Sequence, residues 1–149
     1  MHAQVTQMGI LTLILAGGRG KSLSGLTDRR SKPAVPIAGK YRIIDFPLSN
    51  AVNSKLNRIA VLAQFQASSL AEYLGAGEPW GLDESSGGCL QIWQPQRGQT
   101  GLEQYLGTAD AVYQNREFIA ADGSDLLVVL AGDHIFRQDF REMIRFHQA

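Results

Sequence analysis

After an unpatterned lead-in over residues 1–8, the chain opens on a continuous apolar run, "GILTLILAG" (9–17), which ends at Gly17-Gly18. An unbroken run with β-branched residues predicts a short strand buried on both faces. "RIAVLAQ" (58–64) and "DLLVVLAGD" (125–133) repeat that signature. Between these runs the periodicity turns helical. Ser69 and Glu72 are spaced as a capping box for a helix with Leu70, Tyr73 and Leu74 on one face. Thr108 is placed to cap a helix carrying Ala109, Val112 and Tyr113. Asp139 and Glu142 form a further box before a stripe of Phe140, Met143, Ile144 and His147. The turn-rich "GAGEPWGLDESSGG" (75–88) predicts one long loop. Strands alternating with helices predict an α/β fold: a Rossmann-like, mostly parallel sheet with helices on both faces and right-handed crossovers. No internal repeat, low-complexity tract or linker divides residues 1–149.

Composition narrows the picture. A chain of 149 residues, 44% hydrophobic, suits one domain with a real core. Fourteen Lys+Arg balance fourteen Asp+Glu, which argues for neither nucleic acid nor membrane as a partner. No apolar run approaches about 18 residues, and no charged region precedes an apolar core at the N-terminus. The expectation is a soluble cytoplasmic protein. The single cysteine, Cys89, excludes an intrachain disulfide framework or a cysteine zinc cluster, and reads as a small half-buried residue at a strand start. The cations are unevenly spread: Arg19, Lys21, Arg29, Arg30, Lys32, Lys40 and Arg42 stand against Asp28 alone, a local cationic site.

In open α/β sheets, ligands sit beyond the carboxyl ends of the strands. "AGGRGKS" and "AGDHI" lie at two such ends, which brings a glycine-rich basic loop toward Asp133. "GRGKS" is not the end of a P-loop, because that spacing requires glycine where Leu15 stands. The dinucleotide fingerprint fails at Leu23. Taken alone, Gly17, Gly18 and Gly20 are best read as a tight strand-to-helix turn. They also let backbone N–H groups approach an anion, with Arg19 and Lys21 supplying charge. Lys32 lies in backbone stiffened by Pro33 and Pro36, where a held ammonium can neutralise a phosphate, although solvation is the commoner fate of a lysine. Asp133, after Ala131-Gly132, is placed to hold a hard cation or, equally, to cap a turn. His134, His147, Trp80 and Trp93 read as structural, and His2 as a tail residue.

Four blocks in order, "LAGGRG…LT…KPAVPIAGKYRIIDFPLSN", "VLAQF", "GTADAVYQN" and "LAGDHIFRQDF", resemble the sugar-nucleotide pyrophosphorylases, most closely the glucose-1-phosphate adenylyltransferases. The resemblance runs from about Leu11 onward. It implies a nucleotidyltransferase that turns ATP and glucose 1-phosphate into ADP-glucose and pyrophosphate for glycogen or starch synthesis, with Mg²⁺ offsetting charge. It further implies that Leu15, Ala16, Gly17, Gly18 and Gly20 wrap the ATP, that Gln64 meets the base, and that Gly107 and Thr108 close nearby. Tyr105 falls on the sugar-phosphate side. Arg19, Lys32 and Asp133 carry the reaction, with Asp133 on the metal. Residues 1–149 are then the N-terminal nucleotide-binding part of the catalytic domain, without its sugar-binding half or a C-terminal β-helix, and the full-length protein is expected to be a homo-oligomer. Two positions depart from the family pattern: Ser22 replaces an arginine, losing charge and donor fork, and Gln104 replaces an aromatic residue. They leave room for a non-catalytic regulatory subunit or nucleotide-binding module of the same family.

Overall fold

The computed structural model describes residues 9–82, 85, 87–96 and 104–149. The lead-in with His2, and residues 83, 84 and 86 of the predicted loop, lie outside the described residues. In chain order the elements are β1 (Ile10–Ala16), β2 (Pro36–Ile37), β3 (Tyr41–Arg42), α1 (Asp45–Asn53), β4 (Arg58–Ala63) and α2 (Ala67–Leu74). They are followed by β5 (Cys89–Trp93), α3 (Thr108–Gln114), α4 (Arg116–Asp122), β6 (Leu126–Ala131) and α5 (Arg141–His147). The main sheet is parallel in the order β5-β4-β1-β6, and β2-β3 forms a small antiparallel hairpin. The three predicted strands are present and adjacent, with Leu13 between Ala60 and Val129.

Because strand side chains alternate, the apolar runs feed two separate cores. Ile14, Ala16, Ile59, Val61, Val128 and Leu130 face one way, meeting Leu48 and Ala51 of α1, Leu70 and Leu74 of α2, and Ile144 of α5. Leu11, Leu13, Ala60 and Leu62 face the other way, under Ala111 of α3 and the partly buried Ile119 of α4. Helices therefore cover both faces, as expected. Successive strands build outward from β1 through β4 to β5, then the chain crosses to the far side of β1 for β6. That reversal leaves a crevice at the carboxyl ends of β1 and β6.

Several local expectations need correction. Ser69 lies inside α2 and its hydroxyl donates to Gln66 O at 2.9 Å, so it does not cap; Gln66, in the left-handed region at φ 50, precedes the helix. Thr108 is the first helical residue of α3, after Gly107. Ala109 and Tyr113 of that helix are exposed, while Ala111 and Asn115 turn inward. A short helix has few apolar residues to define its face, and here a buried polar residue helps define it. In α5, Phe140 and Ile144 are buried, whereas Met143 and His147 are exposed. Glu142 approaches Arg145, not the helix start, and Asp139 accepts from the backbone and guanidinium of Arg141. The β2-β3 hairpin, α1 and α4 extend the predicted set, and β5 fills out the strand of which only the start at Cys89 was expected. Cys89 is half-buried at the first position of β5, as expected.

Candidate functional site

β1 ends at Ala16, and Gly17 and Gly18 carry the chain out over the sheet edge. Gly20 follows in the left-handed region (φ 65), where a side chain would also crowd its neighbours. A Cβ there would lie 2.8 Å from Cβ of Lys32 and 2.9 Å from Cγ2 of Thr27. Thr27 closes the loop by donating its hydroxyl to Gly20 O at 3.0 Å and Leu23 O at 3.2 Å. The glycine therefore makes room for the stem of Lys32.

Lys32 opens a short 3₁₀ turn with Pro33 and Ala34, and the hairpin ties that turn down: Ile44 N donates to Pro33 O at 2.9 Å and Ile43 N to Val35 O at 3.2 Å. The hairpin is itself anchored. Asp45, buried at the start of α1, accepts from Arg42 N and from the Tyr73 hydroxyl, each at 2.8 Å. The Arg42 guanidinium stacks over the Tyr73 ring at 4.0 Å. Desolvation, then the bond to Asp45, pushes the Tyr73 hydroxyl up to about 12.

On the far side of the crevice, Gly132 N donates to Leu15 O at 2.9 Å. A Cβ on Gly132 would sit 2.8 Å from that oxygen, so only glycine lets the end of β6 lie this close to the end of β1. Asp133 is thereby delivered beside the loop, and Lys32 Nζ donates to Asp133 Oδ2 at 2.8 Å. Residues 101 positions apart meet as an ion pair.

A second polar chain forms the opposite wall. Gln64, just past β4, donates from Nε2 to Gly17 O at 3.3 Å and accepts at Oε1 from Tyr105 N at 2.5 Å. The Tyr105 hydroxyl accepts from Asn115 Nδ2 at 2.9 Å, and Asn115 also donates to Ala111 O at 2.8 Å. Burial, ahead of its other influences, raises the Tyr105 pKa, so its hydroxyl is a hydrogen-bonding group and not a base near neutrality.

These walls enclose a cleft of about 310 Å³. Leu15, Ala16, Gly17, Gly18, Lys32, Gln64, Tyr105, Gly107, Thr108 and Asp133, all singled out from sequence, line it together. Arg19 and Gly20 do not: the Arg19 guanidinium lies 5.6 Å from the centre of the Phe65 ring, and Gly20 acts from behind Lys32. Ser22 is exposed in the turn Lys21–Leu23. Pro33, Leu62, Leu106, Ala111 and Ala131 complete the lining and escaped the sequence reading. Leu62 and Ala131 stand at strand ends, so the rule that pointed to Asp133 could have found them. Trp93 packs against Phe118, and Trp80 against Tyr73. His134 is largely exposed, with Nε2 3.9 Å from Asp133 Oδ1.

Chemically the cleft is an apolar slot with a cation and a carboxylate at one end. Among the described residues no three His, Cys, Asp or Glu side chains cluster to hold a metal ion. One partly exposed carboxylate suits a hard cation that keeps most of its water and shares phosphate oxygens. It does not suit a closed zinc site.

The sequence profile described as "Nucleotidyl transferase" matches residues 11–149, and the chain belongs to that family. It is 46% identical to a glucose-1-phosphate adenylyltransferase of Thermotoga neapolitana, over 93% of this chain and 32% of the relative. It is 48% identical to the Clostridium acetobutylicum protein of the same name, over 93% of this chain and 36% of the relative. The chain thus spans about a third of the length of these curated relatives. A solved structure from Bacillus anthracis, described as a glucose-1-phosphate thymidylyltransferase in complex with a sucrose, superposes with a TM-score of 0.73 at 22% identity. It covers 93% of this chain and 50% of that one, and shows the shared fold.

Proposed function

We propose that the cleft binds Mg·ATP and that residues 1–149 form the nucleotide-binding part of a glucose-1-phosphate adenylyltransferase catalytic domain. The observation that carries this reading is the convergence of the Gly17-Gly18 loop, Lys32 and Asp133 at the sheet's topological switch. Adenine enters the apolar slot beside Leu62, Gly107 and Thr108. The backbone N–H groups of the glycine loop and the Lys32 ammonium meet the phosphates, and Arg19 reaches them by leaving Phe65. Asp133 would hold Mg²⁺, which would offset charge on the triphosphate. Nucleotidyl transfer to glucose 1-phosphate needs alignment and charge neutralisation and no covalent nucleophile. The names of the relatives, glucose-1-phosphate adenylyltransferase, support this substrate pair, and a role in glycogen or starch synthesis belongs to the same proposal. Gln64 and Tyr105 hold each other and so act as a wall for the base and the sugar-phosphate side.

Calorimetric titration of the chain with ATP, with and without Mg²⁺, tests the reading when combined with a coupled pyrophosphate assay. Weak Mg·ATP binding without turnover is expected, because a sugar phosphate that lacks a pocket gains no effective concentration. Absence of nucleotide binding in a demonstrably folded sample would overturn it and favour a non-catalytic regulatory role, for which Ser22 at the family arginine position leaves room.

A further inference from the structure

Among the described residues Lys32 is the cation in the cleft lining, and its ammonium donates to Asp133 Oδ2 at 2.8 Å. Neither partner is a wandering surface side chain. Lys32 is held by its 3₁₀ turn and by the close approach of Gly20, and Asp133 by the contact of Gly132 with Leu15. Both remain reachable, at 28% and 34% side-chain exposure. Asp133 Oδ1 has His134 no nearer than 3.9 Å, which leaves it open toward a cation.

This arrangement treats two forms of one ligand in opposite ways. A metal-free triphosphate meets a lysine whose charge is already balanced and a carboxylate that repels it. A triphosphate carrying a divalent cation brings the carboxylate a better partner than an ammonium, and that exchange releases Lys32 to the phosphates. Resting on the reading above, we propose that Asp133 is a specificity residue that makes the cleft select cation-bound over metal-free triphosphate, by occupying Lys32 until a cation displaces it. Cation and phosphate binding are then coupled through one ion pair, and the coupling is reciprocal.

The proposal makes an unusual demand on Asp133→Asn. Removing a metal ligand should strengthen binding of metal-free ATP. In calorimetry with ATP and EDTA, the variant should bind about three- to tenfold more tightly than the parent, since a partly exposed pair and one nearby repulsion are of that order. Its preference for Mg·ATP should shrink, and the gain should fade with added salt. A second variant reads the other half of the pair without any nucleotide. In Lys32→Met the freed carboxylate should hold Mn²⁺ alone, followed by electron paramagnetic resonance, about three- to tenfold more tightly. Circular dichroism and melting curves would establish that both variants are folded. If the parent binds Mg·ATP but Asp133→Asn shows no gain for metal-free ATP, or Lys32→Met no gain for Mn²⁺, the role of Asp133 is overturned and the functional reading stands. If neither the parent nor Asp133→Asn binds ATP in any form, both fall.

Discussion

The two faces of the sheet are built differently. On the α1-α2-α5 face, nineteen buried apolar side chains among the described residues join one continuous core; on the α3-α4 face six do. The thick face is held mainly by packing, with the Asp45–Tyr73 clamp at its margin. The thin face is held at its cleft end by the chain Asn115–Tyr105–Gln64–Gly17. That contrast teaches where a site can sit. A close-packed core leaves no volume for a ligand, whereas hydrogen bonds can fix side chains around open space. The cleft lies against the thin face, and its lining residues Leu15, Leu62, Tyr105 and Ala111 come from it.

The largest effect should come from equal truncations on opposite faces of β1. Ile14 and Leu13 are adjacent, fully buried, and point into the thick and thin cores respectively. Ile14→Ala should cost about 3–4 kcal/mol in urea unfolding, and Leu13→Ala about 2–3 kcal/mol, because the thin side has fewer neighbours to leave stranded around a cavity. Equal costs would break the comparison. Gln64→Ala should follow at about 1–2 kcal/mol, the consequence of leaving Tyr105 N and Gly17 O without their partner. Its mark should be selective: ATP affinity of the folded chain falls, measured by calorimetry, while Ile14→Ala lowers stability and leaves the affinity of the folded fraction alone. The smallest effect belongs to the polar clamp of the thick face. Tyr73 ionises near 10.0 when unfolded and near about 12 in the fold, so its contribution is full below pH 10 and is lost as pH climbs through the folded value. Melting temperature should drop between pH 10 and 12, and Tyr73→Phe should flatten that drop at a cost of about 1 kcal/mol near neutrality.

Much of this contrast was legible in the chain, though unevenly. The three long strands announce themselves because a strand buried on both faces needs an unbroken apolar run, and Leu11–Leu15 or Ile59–Leu62 has no other good fate in water. β5 is short, contains Gln91, and follows a glycine-rich stretch, so its pattern is diluted. The β2-β3 hairpin is masked by Pro36 and by turn residues Ala38 and Gly39, both at positive φ. The helix caps misled because Ser69 and Thr108 have the chemistry of caps but sit one to three residues inside the helices. At the site, the rule that ligands gather at strand ends brought out the glycine loop and Asp133, while Gln64 came from the family resemblance; all line the cleft. Asn115 had no such signal: a lone asparagine in a helical stretch looks like surface until tertiary contacts bury it. The Lys32–Asp133 pair was equally hidden, since two residues each assigned to a ligand satisfy one another in its absence.

The placement of β1 has a consequence for how the chain reaches this state. β1 precedes the other described elements in the chain but lies between β4 and β6, with Ile10 in register with Leu126. Its second edge stays unpaired until nearly the whole described chain has left the ribosome. Closing so long a loop is slow, and an apolar strand with one bare edge is a template for the wrong partner in the interval. The pairing of β6 with β1 is also the one that carries Gly132 against Leu15 and Asp133 to Lys32. The cleft therefore needs β6 in place, because Ala131 and Asp133 in its lining arrive with that strand.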